Sequence, residues 1–180
     1  MEAGRRVFGS RPYPEVSVAD IAAEAGVSRA LVNHYFDGKR GLLLAVLRDL
    51  TDRAEAAIQT DADLPVEEMV SASTDSWLDF ASANREMTLA FSGIGPAPTD
   101  PEVEGLVDDL RDRIVDRVLE NHLGTTDVPP AVRFALRAYT GIFLLAVHDW
   151  LASGAVTRED VHDLLSRGLL STLTEVLPAR

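Results

Sequence analysis

The chain has 180 residues, no cysteine, 46% apolar residues and a formal net charge of −12. That length suits one large domain or two small ones with a core, and the missing thiols exclude disulfide and thiolate chemistry, as a reducing cytoplasm would allow. No run of roughly 18 apolar residues and no apolar segment behind Arg5 and Arg6 is present, so neither a membrane span nor a secretory leader is expected.

The charge argues against nonspecific affinity for nucleic acid, but it is unevenly placed. Residues 1–42 hold six bases (Arg5, Arg6, Arg11, Arg29, Lys39, Arg40) and five acids (Glu2, Glu15, Asp20, Glu24, Asp37), a balance of +1 that leaves −13 for the rest. Gly9, Pro12 and Pro14 forbid a longer helix before Ser17. Ser17 to Leu42 then reads as two short helices joined by a tight turn. Val18, Ile21, Ala22 and Ala25 form one apolar stripe, and Ser17 with Asp20 is a capping-box variant. Gly26 sits where a helix ends in a left-handed residue, and Val27 is expected to drop into the core. Ser28 caps a second helix, Arg29 to Tyr35, which buries Val32 and Phe36 and turns Arg29, Ala30, Asn33, His34 and Tyr35 outward.

A short helix with a hydrogen-bonding outer face is what a helix-turn-helix lays in the major groove. Arg suits guanine and Asn suits adenine, while Lys39 and Arg40 would open the next helix beside a phosphate strand. The same pattern also fits a plain helical hairpin inside an all-α domain. Ser17, Ile21, Ala22, Ala25, Gly26, Val27, Ser28, Val32, Phe36, Lys39 and Leu42 stand in the spacing of the tetracycline-repressor (TetR) family's DNA-binding domain, which this stretch resembles. The resemblance implies an all-α protein with an N-terminal helix-turn-helix DNA-binding head (residues 1–45) and a C-terminal helical ligand-binding and dimerisation body (residues 46–180). It implies DNA contacts from Ser17, Ser28, Arg29, Ala30, Asn33, His34, Tyr35 and Lys39. The family usually has Tyr at the position of Asn33 and often His at that of Tyr35, so the position of Asn33 carries over and its type of contact does not. Residues 2–14 resemble the end of the family's first helix and the following loop, with Val7 and Phe8 as core, but the family begins that helix two or three turns earlier. Either the start is misassigned or trimmed, or the head is a shortened one.

Further along, Lys39 to Gln59 reads as one helix with Leu43, Val46, Leu47, Leu50, Ala54, Ala57 and Ile58 at helical spacing, a natural lever between head and body. Pro65 starts another helix, with Met69, Val70, Ser73, Trp77 and Phe80 on one face; Asn84 to Phe91 is shorter, and Gly93 to Pro98 is a loop. Asp100 and Pro101 open a helix whose apolar face is Val103, Val107, Leu110, Ile114 and Val118 and whose Asp- and Arg-rich face is expected to be solvated. Pro129-Pro130 begins a long helix to Ser153, and Thr157 with Asp160 opens a final one to Leu177. No stretch alternates with period two, so strands are not expected.

Trp77, Phe80, Met87, Phe91, Leu110, Ile114, Tyr139 and Phe143, with Asn84, Thr88, His122, Thr140 and His148 as polar company, suit either a filled core or a pocket for an apolar small molecule. The resemblance favours the pocket, as an inducer site. The last two helices are apolar on more than one face, which calls for cover. Leu144, Val147, Leu151, Val161, Leu165, Leu169, Thr172 and Leu173 are expected to face a second subunit in a four-helix bundle, the resembled family's usual dimer interface. Neither a catalytic residue nor a metal or cofactor is expected: the His148-Asp149 and His162-Asp163 pairs do not converge along a helix, and no phosphate-binding or zinc-type spacing occurs. The function implied is a ligand-responsive cytoplasmic repressor, not an enzyme, that holds a palindromic double-stranded operator as a homodimer and is released by a small apolar inducer. The rival is a helical small-molecule-binding protein that has lost operator binding.

Overall fold

The computed structural model describes residues 1–57, 63–91 and 101–176, the side chains at 102–104, 106–107, 110 and 175–176 excepted. The described residues form helices and no strand. Three short helices come first, α1 (Glu2–Ser10), α2 (Val18–Ala25) and α3 (Arg29–Phe36), with a single 3₁₀ turn at Tyr13–Glu15. The caps are those the sequence specifies. Ser17 Oγ accepts the Asp20 N–H at 3.2 Å while Asp20 accepts the Ser17 N–H at 2.8 Å, which satisfies two orphan donors at the start of α2. Gly26 ends that helix at φ 66°, and Ser28 Oγ accepts the Leu31 N–H at 3.2 Å to open α3.

The joint after α3 is built for close approach. Asp37 caps α3 at φ 55° and Gly38 follows at φ 86°. A Cβ on Gly41 would lie 1.6 Å from the Phe36 carbonyl oxygen, so no other residue fits between α3 and α4 (Gly38–Ala57). This fixes the angle at which α3 leaves the molecule.

Phe8, Val7, Val16, Ile21, Ala22 and Val32 pack with Leu42, Leu43, Val46, Leu47 and Leu50 of α4 in one core. Phe36 is packed against it. This core continues past the expected 45/46 division, because Met87 of the body belongs to it. Two expectations are corrected. Val27 is 38% exposed, not buried, because its N–H turns back to the Ala22 carbonyl (2.9 Å) and holds the side chain at the rim of the turn. Ala25 is exposed as well, so the buried stripe of α2 narrows to Ile21 and Ala22 with Val18 at its edge.

The body comprises α5 (Val66–Ala83), α6 (Arg85–Phe91), α7 (Pro101–Leu123), α8 (Pro130–Ser153) and α9 (Arg158–Ser171), which runs into a π-helical turn at Thr172–Val176. The expected Ile58 to Gln59 end of α4, the Gly93 to Pro98 loop, Asp100 and Leu177 lie outside the described residues. α5 packs along α9, and the α9 capping box at Thr157 and Asp160 forms as expected. Arg158 clamps the two helices by reaching Asp75 at 2.8 Å and Asp79 at 2.7 Å.

Two sequence expectations about the body change. The charged face of α7 is bonded to its neighbours instead of merely solvated. Arg113 reaches Asp52 at 3.0 Å and Thr51 at 2.7 Å on α4, Arg117 reaches Glu55 at 3.2 Å, and Arg133 and Arg137 of α8 reach Asp116 and Asp112. The second concerns the residues expected to face a partner. Val147, Leu151, Val161, Leu165, Leu169 and Leu173 are buried inside the protomer, and Leu144 and Thr172 are half-buried. Their contacts are with α5, α7 and one another, since both final helices must first seal their own core. The apolar side chains these helices leave outside are Phe134, Ile142, Leu145 and Leu164, at 74, 56, 51 and 57% exposure.

Candidate functional site

Two places combine geometry and chemistry beyond what packing requires: the outer face of α3 and a cavity in the body. On α3, Arg29, Ala30, Asn33, His34 and Tyr35 all stand exposed, Tyr35 at 70%, while Val32 anchors the opposite face. The His34 and Tyr35 rings meet edge to face at 5.3 Å. Ser28 and Ser17 are exposed at the starts of α3 and α2, where their hydroxyls serve as caps.

The electrostatics of the head single out one base. Arg5 is paired with Asp49 at 2.7 Å, Arg6 with Glu24 at 2.6 Å and Arg11 with Asp20 at 3.4 Å. Arg29 has no ion pair among the described residues and lies in the first turn of α3, in reach of whatever that helix meets. Lys39 was expected to extend toward a phosphate strand. Its Nζ instead donates to the Tyr13 carbonyl at 2.9 Å and sits 4.1 Å from the centre of the Tyr13 ring. It ties the 3₁₀ turn to α4, because a cation beside an aromatic face and a carbonyl oxygen gains both contacts.

The cavity lies between α4, α5, α6, α7 and α8. It measures about 110 Å³, where one water needs only ~10–15 Å³, so it is room and not a packing fault. Of the eight residues expected to line a pocket, Trp77, Phe80, Met87, Phe91, Ile114, Tyr139 and Phe143 do so. The Leu110 side chain lies outside the described residues. Trp77 meets Phe80 at 5.6 Å and Phe143 at 5.3 Å, both edge to face, and Tyr139 meets Phe143 at 6.3 Å. Such ring pairs hold one another in place and leave faces for a guest.

Among the polar residues expected there, Thr88 and Thr140 line the cavity; Asn84, His122 and His148 do not. The Asn84 side chain donates to the Phe80 carbonyl. Sequence reasoning missed the α4 wall (Leu47, Leu50, Thr51, Ala54) and the hydroxyls of Ser73 and Thr74. Polar Thr51 within an otherwise apolar stripe was the available signal. Tyr139 is buried too: its hydroxyl donates to the Leu165 carbonyl at 2.6 Å, and burial pushes its phenol far above the usual range.

The two places share material. Leu47, Leu50 and Met87 belong to the head's core and to the cavity wall at once, and Phe80 and Phe91 touch both. α1 lies directly on α6, where a Cβ on Gly9 would be 2.8 Å from the Glu86 Cβ. α4 and α6 thus form part of the cavity wall and also support α1 and the core beneath α3.

In class, this is an all-α protein that presents an N-terminal helix-turn-helix on a helical body with an apolar cavity. Residues 1–46 match the model of the bacterial regulatory proteins of the tetR family. Over 50 residues the chain is 52% identical to the HTH-type transcriptional regulator BetI of Brucella anthropi, and over 62 residues 45% identical to BetI of Agrobacterium fabrum. Those matches take in 28 and 32% of this chain and 26 and 30% of the relatives, so the aligned segment spans under a third of the curated relatives' length. In structure, 99% of the chain superposes on 83% of a tetR-family transcriptional regulator from Streptomyces coelicolor, with a TM-score of 0.83 at 22% identity. It also superposes, over 95% of its length and 92% of the other chain, on LfrR from Mycobacterium smegmatis in complex with proflavine, with a TM-score of 0.57 at 26% identity. The head of this chain is thus similar to the DNA-binding domain of the TetR family, and the whole chain has the fold of those solved regulators.

Proposed function

We propose that the chain is a one-component transcriptional regulator, a cytoplasmic repressor that binds a palindromic operator as a homodimer and leaves it when a small apolar molecule fills the cavity. The observation that carries this reading is the fully exposed polar face of α3 on a head whose sequence is that of the family. Arg29 and Asn33 are the readers, since both stand free on that face and both can pair in bidentate fashion with a base edge. The acidic remainder of the chain repels phosphate, so binding is modest and falls steeply with salt.

The partner surface moves from the buried residues to the outer stripe of α8 (Phe134, Ala138, Ile142, Leu145) with Leu164 of α9, where apolar side chains stand uncovered. A two-fold pair joined there would carry two copies of α3, as a palindrome requires. An effector acts only through its different affinities for two arrangements: ~1.4 kcal/mol shifts occupancy tenfold, and ~5.5 kcal/mol makes a full switch. LfrR, which holds proflavine, has the same fold, which supports an occupied cavity here.

The test is a gel shift on the gene's own upstream region. Arg29→Ala and Asn33→Ala should each remove the shifted band while light scattering still reports a dimer. Undiminished binding by both variants overturns the assignment of α3. A protein that binds ligands but shifts no DNA selects the helical binding protein without operator function.

A further inference from the structure

The cavity's hydrogen-bonding chemistry goes one step beyond its existence. Its described lining contains no Asp, Glu, Lys or His side chain. Six hydroxyls reach it, and each proton is already committed to a main-chain carbonyl. Thr51 donates to Arg48 at 2.7 Å, Ser73 and Thr74 to Val70 at 3.0 and 2.8 Å, Thr88 to Ala81 at 3.4 Å, Tyr139 to Leu165 at 2.6 Å and Thr140 to Arg137 at 2.7 Å. What these oxygens offer inward is lone pairs. Thr51 already uses one to accept from Arg113 at 2.7 Å. Arg111 is the one charged residue in the lining, and its guanidinium is engaged by Asp108 at 3.0 Å. The remaining wall is aromatic and aliphatic.

Each kind of ligand meets this wall differently. A carboxylate would have to draw hydroxyl protons away from main-chain carbonyls, or share the Arg111 guanidinium with Asp108. An ammonium would find ring faces and lone pairs but no counter-charge. Burying an unpaired charge is far costlier than burying a hydroxyl that finds a partner. A neutral apolar body with an O–H, in contrast, satisfies an acceptor that the helix leaves half-used. Resting on the reading of this cavity as an effector site, we propose that it selects an uncharged aromatic alcohol or phenol, which donates its hydroxyl proton to Thr74 or Thr140 while the rings of Trp77, Phe80 and Phe143 enclose its body. Both threonines are buried, at 3 and 8% exposure, so those lone pairs face the cavity's interior and not bulk solvent.

The experiment is titration calorimetry of the intact protein with four probes of one shape: 2-naphthol, 2-methoxynaphthalene, 2-naphthoate and 2-naphthylmethylammonium. The naphthol is expected to bind about fivefold or more tightly than its methyl ether, the ratio one neutral hydrogen bond supplies, and a hundredfold or more tightly than either ion. Thr74→Val and Thr140→Val keep the side-chain shape, and at least one should bring the naphthol down to the ether while leaving the ether unchanged. Should one valine variant fail to fold, the other and the four-probe series still decide. An ether that equals the naphthol, or an ion that exceeds it, overturns the hydroxyl-donor proposal and leaves the effector site standing. Binding by none of the four overturns the effector reading itself, and the proposal with it.

Discussion

Single residues set two measurable properties. His122, near the end of α7, has both ring nitrogens buried without a hydrogen-bond partner among the described residues, and burial lowers its pKa. The folded protein therefore resists protonation that the unfolded chain accepts near ~6.5. That sign means full stability above this value and a loss as pH falls below it. The melting temperature should drop between about pH 7.5 and about pH 5.5, and His122→Leu should flatten the profile; an equal slope in the variant would contradict the burial account. Lys39 offers the second case. Its contacts with Tyr13 make it a strut, so Lys39→Met should loosen the head, seen as a lower melting temperature without DNA, and not act on DNA affinity alone. Sequence spacing placed Lys39 on the right helix, but the Tyr13 carbonyl that captures it lies 26 residues away in the chain, beyond the reach of any local pattern.

At the scale of elements, glycine contacts decide how helices meet. Gly41→Ala drives a Cβ into the Phe36 carbonyl, which α4 cannot yield to without re-aiming α3. Operator binding should be abolished and the head's amides should lose exchange protection. Gly9→Ala presses on Glu86 at the α1–α6 contact and should cost about 1–3 kcal/mol, as overpacking does. Gly105→Ala, in the exposed part of α7 with nothing within 4 Å, should instead stabilise by about 0.5–1 kcal/mol. Chemical denaturation of the pair checks the opposed signs. The helices themselves were legible because their caps are local: Ser17 with Asp20, Gly26, Ser28, and Thr157 with Asp160 each act within four residues of their partner. The fate of Val27 was not, since its side chain depends on whether a neighbouring helix covers the turn.

At the scale of the whole molecule, the cavity and the core of the head share walls, and the proposed dimer would form on the apolar stripe left outside. Ile142→Glu with Leu145→Glu should yield a folded monomer by light scattering and circular dichroism, with operator affinity reduced at least tenfold; a persistent dimer would move the interface elsewhere. Periodicity identified α8 and α9 as apolar on several faces but not which face the protomer keeps. Val147 and Leu165 went inward because α5 covers them, a fact of packing that repeats at three and four do not contain. The seven cavity residues were legible for the opposite reason, since an aromatic cluster at helical spacing marks one place whether it is filled or open. The account's central claim is that two exposed copies of α3 read two half-sites. Selection of the full-length protein against random duplex DNA tests it most directly. The account predicts enrichment of an inverted repeat with half-site centres one helical turn, ~34–36 Å, or a whole multiple of it apart, lost with Asn33→Ala; recovery of no enriched sequence, or of one that Asn33→Ala enriches equally well, would contradict it.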